Sequence, residues 1–462
     1  MMKTWNQLFI RHGWKLEAQM ENVFNCKGET EGNMDFLLQS LKVVEAKFTY
    51  EFSTLVLKSQ PVSEEEWIRA IDFQHRGRGE GLWFRPGVEE PKVIELDTFI
   101  SGIVRQVNRL GFQTIGSCDG HERRMAHFLL EKENTNIEQL EQLFTGLGVK
   151  LLYRENRNSY VVNMRLSRTA LLDVAEKLSF IEKSWLNEGS EFIKQQLFYS
   201  LLENLLSIRG ESGNEAEVRE FVKAHLTPFV DNITVDRHGN LLAEKKYRTG
   251  HGPTILLNAH LDTVVPIDKD RAIEKNGETW TSSTGILGAD DRAGVAVLLH
   301  MAEHLYYSDF NGKVKFVFTV KEECGLVGAR KLDSYFLWDT DAAIVVDRRG
   351  NGDIVTSCGG YIPFCHEAYG TFFEKVAVQE GLNGWKCTAG GSSDTAIWAS
   401  HGIQSVNLSA GYGHEHTEDE YLIVEHCYEV TGLLKGVFNS GRELRSALRN
   451  EPRGQQPLRI VQ

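Results

Sequence analysis

From residue 196 onward the chain alternates short apolar, β-branched runs with amphipathic stretches of helical period, and that alternation leaves few folds open. The runs at 254–258, 313–320 and 342–346 are largely apolar, the pattern of strands covered on both faces, and 404–408 is a further, more polar strand candidate. Around them, 215–224, 291–305 and 424–437 carry helical periodicity. In the second of these, Val295, Leu298, Leu299, Ala302 and Leu305 fall on one stripe. Buried strands alternating with helices predict an α/β domain with a largely parallel sheet over 196–440.

Upstream the texture differs. At 462 residues the chain is long enough for two or three domains of roughly 100–200 residues each. Residues 1–195 read as a smaller α+β region of unassigned role, divisible into 1–95 and 96–190. In the latter, Ile100, Ile103, Val104, Val107 and Leu110 recur at helical spacing. Strands at 113–117, 126–130, 150–153 and 160–164 and helices at 137–147 and 168–178 then suggest a small sandwich of split-βαβ character. The glycine-rich stretch 74–81 lacks the GK[ST] and the strand–loop–helix setting of a phosphate cradle and reads as a connection. The turn Ser117-Cys118-Asp119-Gly120-His121 holds residue types of a metal or Cys–His site. No second ligand pair accompanies it, so a glycine turn after a strand accounts for it. Residues 441–462 read as a flexible tail.

Composition narrows the function classes. With 51 basic and 64 acidic side chains the net charge is −13, which lacks the basic field that nucleic acid requires. No apolar run reaches the ~20 residues that span a bilayer, and Met1 to Lys15 lacks a signal-peptide core. Seven scattered cysteines do not form an even, dense disulfide framework; they predict free thiols and a cytoplasmic location, with Cys358 and Cys365 the one pair near enough to consider.

Metal-ligand residue types gather where the predicted strands of 196–440 end. The run at 254–258 leads to His260 and Asp262, Asp290 and Asp291 precede a helix, 313–320 ends at Glu322-Glu323, 342–346 at Asp347, and 404–408 leads toward His414 and His416. Open α/β sheets place their sites at those carboxyl ends. Each HxD, DD or EE pair alone is weak; together they supply two histidines and three carboxylates for a pair of borderline cations, plus a free carboxylate to deprotonate water.

The strings Leu257-Asn258-Ala259-His260-Leu261-Asp262-Thr263-Val264, Leu287-Gly288-Ala289-Asp290-Asp291-Arg292-Ala293-Gly294, Glu322-Glu323-Cys324-Gly325 and Val346-Asp347 resemble the co-catalytic zinc exopeptidase superfamily, which includes peptidase T, aminopeptidases, glutamate carboxypeptidase and aminoacylase. So do the openings 212–219 and 236–241, and Gly390-Gly391-Ser392-Ser393-Asp394 followed by His416-Thr417-Glu418-Asp419-Glu420. The resemblance covers about 196–440 and implies a three-layer α/β/α fold. It further implies that Asp290 bridges two divalent ions, zinc with cobalt or manganese as alternatives. His260 and Asp347 would complete one ion, Glu323 and His416 the other, and Glu322 would be the general base. Asp262 would hydrogen-bond the free N–H of His260, and Asp291 would order the helix start. His416 rather than His414 fits the family spacing to Glu420.

Family members commonly insert a lid of roughly 100 residues after the aspartate ligand. Here the interval from Asp347 to His416 is too short, so the domain is expected to be lid-less. The oxyanion donor and carboxylate clamp that a lid supplies then stay unassigned, with Tyr412, His366, Arg348 and Arg349 as candidates. The resemblance implies a metal-dependent exopeptidase, foremost an aminopeptidase on short peptides. A deacylase or amidohydrolase acting on N-acyl amino acids is the alternative within enzymes, and an inactive regulatory or binding protein the alternative outside them. The partners implied are a peptide or small amide substrate, no nucleic acid, no membrane, and a second copy of the chain in a homo-oligomer.

Overall fold

The computed structural model describes residues 3–74, 76–77, 90–133, 135–268 and 270–449. The chain divides into two compact units, Met1–Leu197 and Phe198–Gln462. Most of the glycine-rich stretch at 74–81 lies outside the described residues.

The first unit holds two small α+β layers. In one, an antiparallel sheet in the order Glu17–Met20, Val23–Asn25, Thr54–Leu57, Phe48–Glu51 packs with helices Trp5–Arg11, Glu31–Val43 and Glu64–Ile71. Its core is aromatic: Trp5, Phe9, Trp14, Phe24 and Trp67 are buried against one another at centroid spacings of 5.3 to 6.4 Å. Each large ring buries far more apolar area than an aliphatic side chain, so few residues suffice for so small a layer. In the other, the sheet runs Thr114–Cys118, Ala126–Glu131, Ser159–Met164, Leu151–Glu155, with every pair antiparallel. The expected split-βαβ order is therefore corrected to two hairpins joined by helix Ile137–Gly146, because both inter-strand turns are short enough to pair neighbours directly.

The second unit is built on a nine-stranded mixed sheet. Its four central strands, Gln404–Ser409, Ala342–Arg348, Thr254–His260 and Gly312–Thr319, are mutually parallel. The flanks are antiparallel: Leu241–Tyr247 pairs with Gly312–Thr319, and Asp353–Cys358 with Gln404–Ser409. Side chains of the central strands alternate between two cores. Ile255, Leu257, Phe316, Phe318, Ile344 and Val346 enter one, with helices Ala216–Leu226, Ala289–Tyr306 and Val424–Asn439; Leu256, Val317, Ala343 and Val345 enter the other, with Trp398. That period of two, with helices on both faces, makes the three layers. Between Asp347 and His416 the described strands join this sheet, apart from Tyr412–Gly413, which pairs with Tyr421–Ile423 in a separate four-stranded sheet. The helices of the interval, Glu367–Gln379 and Asp394–Ser400, pack into the two cores, and no separate lid stands among the described residues.

Two further expectations change. The tail from 441 begins as a helix, Gly441–Arg449, with Leu444 and Ala447 buried in the main core; residues 450–462 lie outside the described ones. Helix Ala289–Tyr306 is not regular at its start: Asp290 (φ −81°, ψ 102°) and Asp291 (φ −119°, ψ 36°) have non-helical backbone. All seven cysteines, Cys358 and Cys365 included, are free thiols.

Candidate metal centre

Because the four central strands are parallel, their carboxyl ends share one edge of the sheet, and the predicted residues meet there. His260 ends its strand, fully buried among neighbours; Nε2 lies 3.0 Å from Asp290 Oδ1 and 3.7 Å from Asp347 Oδ1. The second oxygen of Asp290 lies 3.2 Å from His416 Nε2, which is 2.8 Å from Glu323 Oε1. Asp290 therefore turns one carboxylate oxygen to each histidine. Three ligand-type groups result: His260, Asp290 and Asp347; Asp290, Glu323 and His416; and His260, Glu322 and Glu323. The first two share Asp290 alone.

The backbone around Asp290 is held by Glu420, Asp291, Arg292 and Gly294. Glu420 accepts from the N–H groups of Gly288, Ala289 and Asp290, at 2.7, 2.8 and 3.1 Å. Asp291, buried, accepts from the N–H of His260 and of Gly294, both at 3.1 Å. Arg292 is fully buried and donates to the carbonyl of Leu261, which fixes the strand end behind His260. Gly294 lies so close to the next strand that a Cβ would stand 2.0 Å from the carbonyl oxygen of Val346. That close approach seats the helix start, and Asp290 with it, against the strand that delivers Asp347.

Asp262 departs from its expected role. The Nδ1 of His260 is 3.0 Å from the main-chain carbonyl of Asp262 and 3.5 Å from its carboxylate. That carboxylate accepts from Ser212 Oγ (2.6 Å) and from the N–H groups of Glu322 (2.9 Å) and Glu323 (3.2 Å). It thus orients the imidazole mainly through its own backbone, and its side chain pins the glutamate doublet.

Several of the other candidates already have partners. Tyr412 is buried and its hydroxyl donates to Asp347 at 3.0 Å. Arg348 pairs with Asp353 and Arg349 with Glu415, at 3.1 and 3.0 Å. His366 sits at the N-cap of helix Glu367–Gln379, and the ring of His414 packs on Tyr421. Of the oxyanion and clamp candidates, only Tyr412 reaches the cluster.

The electrostatics show an excess of acceptors. Burial pushes the Glu322 carboxyl up to about 8, with Asp394, Glu323 and Asp290 adding to it against His260. Burial likewise raises Glu323 and Asp347, while Glu420 reaches about 7. Asp290 is the exception: burial would raise it, but hydrogen bonds from His260 and His416 hold it well below the usual carboxylate range. His416 is raised to about 9, first by its hydrogen bond to Asp290. Carboxylates at such separations repel unless a cation lies among them. The donor set of imidazole and carboxylate, with one shared aspartate, fits two divalent ions.

Residues 240–424 match the model of peptidase family M28. YqjE of Bacillus subtilis is 36% identical in the matched region, which covers 30% of this chain and 40% of that protein. The "Putative aminopeptidase" of Acetivibrio thermocellus is 26% identical, over 36% of this chain and 73% of that protein. The chain thus spans less than half the length of the first of these relatives. Among solved structures, the aminopeptidase PepT of Bacillus cereus is 20% identical with a TM-score of 0.49, covering 54% of this chain and 99% of that one. A tripeptidase of Staphylococcus aureus is 19% identical with a TM-score of 0.48, over 55% and 99%. The matched residues 240–424 lie inside the stretch 196–440 over which the sequence resembles co-catalytic zinc exopeptidases.

Proposed function

We propose, from the match of the second unit to peptidase family M28, that the protein is a metal-dependent exopeptidase, an aminopeptidase acting on short peptides in the cytoplasm. The observation that carries the reading is Asp290, whose two oxygens face His260 and His416 separately. On this reading His260 and Asp347 hold one divalent ion, Glu323 and His416 the other, and Asp290 joins them; zinc suits the donors best. Ions bound there supply Lewis acidity for a carbonyl and lower the pKa of water.

The chain's own residues do the rest. Glu322 takes the proton of the attacking water and returns it to the leaving amine, acting as general base and then as general acid. Asp262 fixes both glutamates of the doublet through their main-chain N–H groups. With Arg348 and Arg349 paired to acids, no clamp for a terminal carboxylate is offered by those two residues, which favours an aminopeptidase over a carboxypeptidase.

The test is hydrolysis of free and N-acetylated dipeptides by chelated and metal-reconstituted protein. Activity should vanish on chelation, return with zinc, cobalt or manganese, and prefer the free amine. Full activity in metal-free protein would overturn the reading, and faster cleavage of acetylated substrates would assign a deacylase. The molar mass in solution reads out the homo-oligomer.

A further inference from the structure

The first unit carries a second cluster of ligand types, unrelated to the peptidase chemistry. Strand Thr114–Cys118 ends in Cys118-Asp119-Gly120-His121, the turn whose residues in sequence lacked a partner. The fold supplies one from 21 residues upstream: ligand atoms of Asp97, Cys118, Asp119 and His121 all lie within 4.8 Å of one another. Gly120 permits the turn, since its φ is 84° and a Cβ there would stand 2.1 Å from the carbonyl oxygen of Arg124.

Two of the four are already committed to each other. Asp119, with a fully buried carboxylate, accepts two bonds from Arg168 at 3.0 and 2.6 Å and lies 3.2 Å from His121 Nδ1. An Nδ1–H donated to Asp119 leaves the lone pair of Nε2 facing Asp97 Oδ2 at 3.6 Å. Cys118 Sγ receives the N–H of Gly120 at 3.4 Å and the guanidinium of Arg124 at 3.2 Å. Asp97 is only 5% exposed; its Oδ2, the oxygen facing His121, accepts the N–H of Asp119 at 3.0 Å, while its Oδ1 has no hydrogen-bond partner among the described residues. An imidazole lone pair, a buried carboxylate with an orphaned oxygen, and a sulfur thus converge. Ligand atoms bonded at ~2.0–2.3 Å to a tetrahedral ion lie ~3.3–3.8 Å apart, which is the spacing of His121 and Asp97.

We propose that Asp97, Cys118 and His121 form a mononuclear site for a divalent transition metal of the zinc type. Asp119 is a positioning residue that holds the imidazole, the carboxylate–histidine–metal arrangement. All three ligands line a cavity of about 460 Å³ whose wall includes Arg123, Arg124 and His127. A three-ligand site open to such a cavity keeps its fourth position for water or a small anion. The competing arrangement is a doubly protonated imidazole between Asp97 and Asp119, with no metal.

Cobalt distinguishes them, and it also separates this site from the candidate peptidase centre, whose ligands include no sulfur. Metal-free full-length protein titrated with Co²⁺ should develop a sulfur-to-cobalt charge-transfer band. The band should persist in Cys324→Ser, the thiol beside Glu323, and vanish in Cys118→Ser. Asp119→Asn should weaken cobalt binding at this band by about 10–100-fold. If Cys118→Ser fails to fold, His121→Asn decides: a band lost or shifted to tenfold higher cobalt supports the site. Absence of the band in the parent protein, its loss in Cys324→Ser, or an unchanged titration in His121→Asn would overturn it.

Discussion

Replacing Glu322 by glutamine keeps shape and most hydrogen bonding and removes the one function assigned to it, carrying a proton. Glu322→Gln should therefore retain bound metal while hydrolysis falls by about 10²–10⁴-fold. Glu323→Gln and His260→Ala should instead lower metal content, because Glu323 and His260 contact His416 and Asp290 directly. Metal analysis beside kcat checks the division; an emptied site in Glu322→Gln with a filled one in Glu323→Gln would exchange the two roles. At this scale, the residues that touch one another across the site were legible, because strand-end His, Asp and Glu are few and chemically distinctive. The residues that hold them were legible only in part, Asp262 and Asp291 as supporting residues that the resemblance implies, and the bonds they make were not. Glu420 secures the Asp290 backbone from 130 positions away, and Arg292 and Asp262 act through main-chain groups, which leave no pattern of residue types. Cys118 and His121 were legible as ligand types, but their partner Asp97 belongs to a different element.

Elements were legible where a period dominates. The central strands and the long helix over 291–305 follow from apolar runs and a single stripe, whereas helix Gly441–Arg449 is mostly charged and polar and buries only Leu444 and Ala447. The order of strands in the first unit depends on turn length rather than on apolar pattern, so two hairpins replaced a split βαβ. Close packing between elements yields a test. Gly294→Ala forces a Cβ to within 2.0 Å of the Val346 carbonyl and should destabilise the second unit by about 1–3 kcal/mol. Gly432→Ala, in helix Val424–Asn439, meets nothing within 4 Å and should be neutral or stabilising by about 0.5–1 kcal/mol. Thermal melts of the two variants against the parent check the contrast.

A second element-scale test concerns acid. Helix Trp5–Arg11 is tied to the start of helix Glu64–Ile71 by Arg11 and Glu64, at 2.5 and 3.0 Å. Burial would raise Glu64, but the hydrogen bonds from Arg11, with His12 Nε2 also 3.6 Å away, hold it down to about 2, against an ordinary 4.5. A depressed carboxyl stabilises the fold fully above its unfolded value and loses that contribution as pH falls through the folded one. Burial lowers the fully buried His12, which adds a loss of the same sign beginning below its ordinary 6.5. The first unit should therefore lose stability steadily from about pH 6.5 down to 2, and Glu64→Gln should flatten the lower part of that slope. Melting temperatures across this range, followed by tryptophan fluorescence since Trp5, Trp14 and Trp67 lie in that core, give the measurement.

On the scale of the whole molecule, each unit has a core of its own. Ile193 belongs to that of the first; Phe198, Leu202, Leu205 and Leu206 belong to that of the second, five residues further along the same helix, Ser190–Leu206. All the proposed peptidase ligands lie within 254–416, and the sheet that positions them is completed within the second unit. A fragment beginning at Glu191 keeps that helix almost whole and should fold and bind metal. Whether residues 1–190 restrict the range of substrates is read from the same fragment. Dipeptides and a decapeptide compared on fragment and full chain test this: relative gain on the decapeptide supports gating, whereas identical profiles assign the first unit another role. An insoluble fragment would show that residues 1–190 are required for the fold of the catalytic unit, and its independent core would then be insufficient.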